Sequence, residues 1–304
     1  MIALLGGTDE ASRLAAELAV RPGLRIVTSW AGATVGATVG APAGATAGAP
    51  AGATAGPTAG PTVGARAVGG PVPDRVGGFG GPDGLAAWLL DVGAHALVDA
   101  THPFAATISA SAHAAALATG IPLIHLRRPG WEPVPGDRWH RVDSPAAAAD
   151  LAPTLGERIF LTTGRRGGAP FAADARAYYL LRCIRPPEAP LPARLEVIIG
   201  RGPFSVDGEL ELLRQHRIDV LVSKDSGGEL TVAKLTAARR LGLDVVMIDR
   251  PPAPPGAVCA ATVEEVLAWL DGIIPAAGLP AAGLSAAEPR SRPARPPHAR
   301  ESGR

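Results

Sequence analysis

Apolar residues fall along this chain in two alternating patterns. Short unbroken runs, such as Val220-Leu221-Val222, alternate with longer stretches whose apolar positions recur at helical spacing, such as Glu10–Val20. The runs predict strands at Ile2–Leu5, Leu24–Ser29, Ala96–Ala100 and Pro122–Leu126. A second set is predicted at Arg158–Thr162, Tyr178–Ile184, Leu195–Ile199, Asp219–Ser223 and Asp244–Ile248. Helical spacing predicts helices at Glu10–Val20, Asp83–Val92, Ala105–Thr119, Pro145–Leu151, Val206–His216, Leu230–Leu241 and Val263–Asp271. Unbroken apolar runs suit strands covered on both faces, as in a parallel sheet between two helix layers. The repetition therefore predicts a doubly wound α/β architecture. The Pro- and Trp-bearing stretch Arg127–Trp139 breaks the rhythm, so the boundary between two lobes is set there. The division is an N-terminal lobe over 1–126 and a C-terminal α/β lobe over 127–274, with a ligand cleft between them.

Two segments stand outside this pattern. Residues 31–65 contain only Ala, Gly, Thr, Val and Pro in drifting short repeats. Without charge or large side chains, such a stretch cannot bury enough apolar area to offset its chain entropy, so it reads as a flexible insert. Residues 275–304 are rich in Pro, Ala and Arg and read as a disordered tail.

Charge narrows the function classes. The 304 residues carry a formal net charge of +1. The tail holds five Arg and two Glu, which leaves 24 basic and 26 acidic groups, a net −2, over residues 1–274. A strongly basic nucleic-acid binder is excluded as the default. The two cysteines, Cys183 and Cys259, have neither disulfide-framework nor zinc-site spacing, which fits a reducing compartment. There is no signal-peptide pattern at Met1 and no apolar run of about 20 residues, so a cytoplasmic protein is expected.

Chemistry-bearing residues gather where predicted strands end. Gly6-Gly7-Thr8 lies between the first strand and the first helix, where glycines and free helix N–H groups can receive a phosphate and Thr8 adds a hydroxyl. An ordinary strand–helix turn is the plainer alternative. About 20 residues past such glycines, an acid would hold the ribose 2′-OH of NAD. Here Thr28-Ser29-Trp30 offers hydroxyls and no acid, which leans toward NADP(H) if a nucleotide binds at all. Asp99, Thr101 and His102 follow the strand ending at Ala100; Asp99 or His102 could orient a ribose or supply a proton, and a packing or capping role is the alternative for His102. Arg165, Arg166 and Arg201 sit in glycine-bearing turns and could pair with carboxylates; solvated surface arginine is the alternative. Lys224, Asp225, Ser226, Gly227 and Gly228 form a further turn. The chain has two lysines against 27 arginines, so Lys224 at a strand end suggests a need for a compact ammonium, whereas Lys234 reads as a surface residue of the next helix.

Taken in order, GGTDEA at 6–11, VTSWAG at 27–32, GGFGG at 77–81, VDATHPFA at 98–105, RRPGW at 127–131, LTTGRR at 161–166, GRGPFS at 200–205, VSKDSGG at 222–228 and AKLTAARRLGL at 233–243 resemble the precorrin-6A reductase family of cobalamin biosynthesis, which includes cobalt-precorrin-6A reductases. The resemblance runs from residue 2 to about 253 apart from the repeat. It implies two Rossmann-like lobes and a cytoplasmic enzyme that uses NADPH, without metal or flavin, to reduce one double bond of precorrin-6A to precorrin-6B. It also implies a cofactor site at Gly6, Gly7, Thr8, Ser29, Gly32, Thr101 and His102, and a substrate site at Arg165, Arg166, Arg201 and the Lys224–Gly228 turn. Asp99, His102 and Lys224 are the candidates for proton donor or orienter. The sequence departs from the family where Ala33 and Thr34 follow Gly32 in place of Arg and Thr; Arg66 or Arg75 could replace that arginine. It also has Asp225 where many relatives have Asn.

Three other readings remain open at this stage. One is a reductase of the cobalt-containing substrate that uses NADH. Another is a noncatalytic nucleotide-binding α/β protein, since no triad, paired carboxylates or metal cluster is evident. A short-chain dehydrogenase is disfavoured, because neither Tyr178 nor Tyr179 has a lysine four residues on. A tetrapyrrole substrate, no nucleic acid, no membrane and transient contact with neighbouring pathway enzymes are the expected partnerships.

Overall fold

The computed structural model describes residues 1–30 and 75–273. The predicted insert over 31–65, with Gly32 and Arg66, and the predicted tail lie outside the described residues.

The described residues form an α/β structure with two six-stranded sheets, all of whose strand pairs are parallel. The first sheet contains β1 (Ile2–Gly6), β2 (Ile26–Trp30), β3 (Arg75–Val76), β4 (Ala96–Asp99), β5 (Leu123–Leu126) and β12 (Cys259–Ala260). The second contains β6 (Arg138–Val142), β7 (Arg158–Leu161), β8 (Tyr178–Cys183), β9 (Leu195–Ile199), β10 (Val220–Lys224) and β11 (Asp244–Ile248). The helices are α1 (Asp9–Ala19), α2 (Pro82–Asp91), α3 (Ala106–Thr119), α4 (Pro145–Leu155), α5 (Val206–Gln215), α6 (Ala233–Leu241) and α7 (Val263–Ile273).

Side chains alternate across each sheet as strand geometry requires. In β1, Ile2 and Leu4 join Leu14 and Leu18 of α1 and Val266 and Leu270 of α7. Ala3 and Leu5 face the other way, onto Leu85 and Leu89 of α2 and Ala112 and Ala115 of α3. The second sheet repeats the plan. Ile159 and Leu161 meet Ala148 and Ala152 of α4. Phe160 and Leu221 meet Leu210 and Leu213 of α5 and Leu235 and Ala237 of α6. Burying each such leucine contributes roughly 1.5–3 kcal/mol. Hydroxyls start four of the helices: Thr8, Ser144, Ser205 and Thr262 accept from backbone N–H groups in the first turns of α1, α4, α5 and α7.

The strand orders are β3-β2-β1-β4-β5-β12 and β9-β8-β7-β10-β11-β6. Each sheet therefore builds outward in one direction from its first central strand, then reverses, which leaves a crevice beyond the carboxyl ends of β1 and β4 and another beyond β7 and β10. The sixth strands are exchanged. β6 precedes the core of the second sheet in the chain, and β12 returns to the first sheet after the second is complete. Residues 259–273, grouped with the second lobe by the sequence pattern, pair and pack with the first sheet instead. Two connections, 127–137 and 249–258, thus run between the sheets. They bind each other: Arg127 donates to the Pro251 carbonyl at 2.6 Å, and Arg250 donates to the Arg128 carbonyl at 2.6 Å.

Three strands escape the apolar-run reading. β3 and β12 have two residues each, too few to make a pattern. β6 is the edge strand Arg-Trp-His-Arg-Val, none of whose residues is fully buried.

Candidate functional site

The first crevice opens where β1 and β4 end. Thr8 spans it: its hydroxyl donates to the Ala100 carbonyl at 2.9 Å and accepts from Ala11 N–H at 3.1 Å. The Thr8 hydroxyl is thereby engaged within the protein. Gly6 has no room for a Cβ, which would fall 2.5 Å from the Trp30 ring. Gly7 faces open space, with nothing within 4 Å of a Cβ position. Ser29 is buried beside β1 and β3, in register with Leu5 and Arg75.

Asp99 organises the turn after β4. One carboxylate oxygen accepts from the Thr101 N–H at 3.0 Å and the Thr101 hydroxyl at 2.6 Å; the other lies 2.9 Å from His125 Nδ1. Burial alone would push this carboxyl up, but hydrogen bonds from His125, Ser109 and Thr101 outweigh it and hold Asp99 below the ordinary range. Its bonds leave Asp99 as an ionised anchor under the turn.

That turn carries His102 and Phe104 toward the second sheet. Phe104 N–H donates to His102 Nδ1 at 3.2 Å, so the neutral ring carries its proton on Nε2. Burial, joined by the charges of Arg128, Lys224, Lys234 and Arg250, pushes His102 down from 6.5 to about 3. Phe104 packs on the core of the second sheet, and the Lys224 ammonium sits 5.2 Å from its ring centroid. The cation–π contact joins a residue of the first sheet's loop to the last residue of β10. Lys224 is half-buried, and burial lowers its pKa.

The turn after β10 is clamped to the first connection between the sheets. Asp225 accepts from Trp131 N–H and from Arg141, each at 2.9 Å, and Arg250 lies 3.4 Å away. Its negative charge is therefore met by two guanidinium groups. Gly227 has φ +63°, and a Cβ there would come 2.1 Å from the Pro129 carbonyl oxygen. Arg128 ties both halves together, donating to the Ser226 carbonyl at 2.7 Å and to Glu10 of α1 at 2.5 Å.

The structure thus brings Asp99, Thr101, His102 and Lys224 into one connected region, with the buried Asp225, Ser226 and Gly227 beside them. Other predicted residues are engaged elsewhere. Arg165 and Arg166 both pair with Glu188 on an exposed turn, and Arg201 lies exposed after β9. Lys234 is not the surface residue expected. It is only 5% exposed, with its ammonium 5.2 Å from the Trp131 ring centroid, because the first connection folds over α6. Burial, with Arg182 adding and Glu209 opposing, takes its pKa down to about 7. Sequence reasoning did not assign Phe104, Arg128, Trp131, Arg141 or Arg250 to the site. The signal for four of them was present in the THPF, RRPGW and DRPP segments, while Arg141 stands in the edge strand β6, and only the fold brings these segments together. Among the described residues, no group of three or more His, Cys, Asp or Glu could hold a metal ion, and no helix is long and apolar enough to cross a membrane.

The model of one protein family, described as precorrin-6x reductase CbiJ/CobK, matches residues 53–271. The chain belongs to that family. A relative called precorrin-6A reductase from Rhodococcus erythropolis is 45% identical over 270 residues, covering 88% of this chain and 96% of its own. A second of that name, from Rhodobacter capsulatus, is 43% identical over 268 residues, covering 88% and 94%. A solved structure titled CobK precorrin-6A reductase superposes with a TM-score of 0.72 at 41% identity, covering 90% of this chain and 96% of that one. Family membership agrees with the resemblance carried by the nine sequence motifs, and the solved structure shares the α/β fold.

Proposed function

We propose that this chain reduces one double bond of precorrin-6A to give precorrin-6B in cobalamin biosynthesis, with NADPH as reductant. The observation that carries the reading is the meeting of Lys224, at the end of β10, with the turn after β4, where its ammonium lies 5.2 Å from the Phe104 ring centroid and its charge, with those of Arg128 and Arg250, acts on His102. A crevice with that charge suits a ligand fringed with carboxylates. The name shared by the two bacterial relatives supplies the substrate class.

The residues of the first sheet fit a dinucleotide. The strand order places a reversal between β1 and β4, Gly7 opens onto free space, and no carboxylate stands at the end of β2 among the described residues. Gly7, the first turn of α1 and Thr101 would hold it. A reduced nicotinamide supplies a hydride when bound there.

The chain's own residues then have distinct tasks. Asp99 fixes the turn and stays ionised, so it orients and does not donate. Neutral His102 offers an Nε2 hydrogen bond. The Lys224 ammonium, whose proton is loosened by burial, delivers the proton that accompanies the hydride, and water restores it. Arg128 and Arg250 hold the connecting segments and bring positive charge to the substrate's acid groups. Phe104 covers the site from water.

The test is a matrix of purified protein with NADPH or NADH against metal-free and cobalt-containing precorrin-6A, followed by nicotinamide absorbance. Consumption of NADPH with the metal-free substrate supports the reading. No consumption in any arm, with an active relative as control, rejects it.

A further inference from the structure

Arg75 opens β3 and stands in register with Ser29 near the carboxyl end of β2. In a doubly wound sheet this strand end meets the adenosine ribose of a dinucleotide, where an acid accepts from a 2′-hydroxyl and a cation receives a 2′-phosphate. β2 ends Thr28-Ser29-Trp30 without an acid. The Arg75 guanidinium is already held in place. It donates to the Gly78 carbonyl at 2.9 Å and lies 4.7 Å from the Phe79 ring centroid. Yet its Nε is buried without a hydrogen-bond partner among the described residues. An unmet buried donor is costly, and a guanidinium whose plane is fixed can offer two parallel N–H groups to a phosphate. The following turn leaves room: nothing lies within 4 Å of a Cβ position at Gly77, Gly78, Gly80 or Gly81.

We propose that Arg75 is the specificity-determining residue that selects a 2′-phosphorylated dinucleotide over its unphosphorylated counterpart. The proposal rests on the reading that a nicotinamide dinucleotide binds the first sheet. Arg75 lies on β3, away from the β4 turn and Lys224, so its part is in choosing the reductant and not in the chemistry.

The full chain is titrated calorimetrically with NADP⁺ and NAD⁺, and with 2′,5′-ADP and 5′-AMP, as wild type, Arg75→Ala and Arg75→Lys. Arg75→Ala is expected to weaken NADP⁺ and 2′,5′-ADP by about tenfold or more while moving NAD⁺ and 5′-AMP by less than about threefold, and Arg75→Lys to recover part of the loss. Equal losses for phosphorylated and unphosphorylated ligands, or no loss at all, overturn it. If Arg75→Ala fails to fold, equal wild-type affinity for 2′,5′-ADP and 5′-AMP overturns it instead. Precorrin-6A appears in none of these titrations, so failure of the substrate reading is read separately.

Discussion

Lys224, the last residue of β10, holds its ammonium 5.2 Å from the ring centroid of Phe104, which is delivered by the turn after β4. One contact thus reports on how the ends of two different sheets face each other. Replacing Lys224 with Ala is expected to lower kcat/KM by at least about tenfold, roughly 1.4 kcal/mol of transition-state stabilisation. If Lys224 donates the proton, the wild-type rate falls on the alkaline side at a pH below that of an ordinary lysine, because burial lowers its pKa. Lys224→Arg is expected to move that fall upward. Steady-state rates across pH check both points, and wild-type kinetics in Lys224→Ala would remove the residue from the reaction.

His102 gives stability a dependence on acid. Its pKa is about 3 in the folded chain against an ordinary 6.5, so the unfolded chain binds a proton that the folded chain refuses between those values. Stability should rise with pH through that window, by up to about 1.4 kcal/mol per pH unit from this group. Urea denaturation of His102→Gln between pH 4 and 7 is expected to show a shallower slope than wild type.

Asp99 works in the same sense, at lower pH. Its folded pKa lies below the ordinary 3.8, so its contribution is complete above that value and is lost as pH falls through the folded pKa. Asp99→Ala, which leaves Thr101 and His125 without their acceptor, is expected to cost about 3–5 kcal/mol at pH 7. The gap from wild type should narrow below about pH 3.8, and denaturant midpoints at both pH values measure it.

The turn after β10 is sensitive to backbone chemistry. At Gly227 an Ala would combine a left-handed φ with a Cβ 2.1 Å from the Pro129 oxygen. Gly227→Ala is therefore expected to lower the melting temperature and loosen the connection. The cost should exceed the roughly 1 kcal/mol of an unstrained helix-type Gly/Ala change, in the opposite direction. Gly272→Ala, inside α7 with open space around it and no left-handed φ, serves as the unstrained comparison.

Much of this architecture is legible in the chain. Val220-Leu221-Val222 and Ile159-Phe160-Leu161 read as strands because both faces of their sheet are covered, and no polar position interrupts them. Thr8 and Ser205 mark helix starts by a cap that needs no tertiary partner. What could not be read is pairing across distance. Nothing local in Cys259-Ala260 says that it joins Leu126 rather than Ile248. The burial of Lys234 likewise follows from Trp131, about a hundred residues earlier, folding over it. The site was legible as a set of strand-end turns. The arginines first favoured, Arg165 and Arg166, have Glu188 as a neighbour, whereas Arg128 and Arg250 become important through the exchanged connections.

The traded sixth strands carry a consequence for anyone dissecting this chain. No single cut yields two self-sufficient pieces. A fragment ending at 126 lacks β12 and α7, and a fragment ending before 259 leaves Val263, Val266 and Leu270 missing from the core beneath α1. The halves are therefore mutually dependent products of one translation event, and a workable dissection would have to sew the terminal helix back onto the leading half.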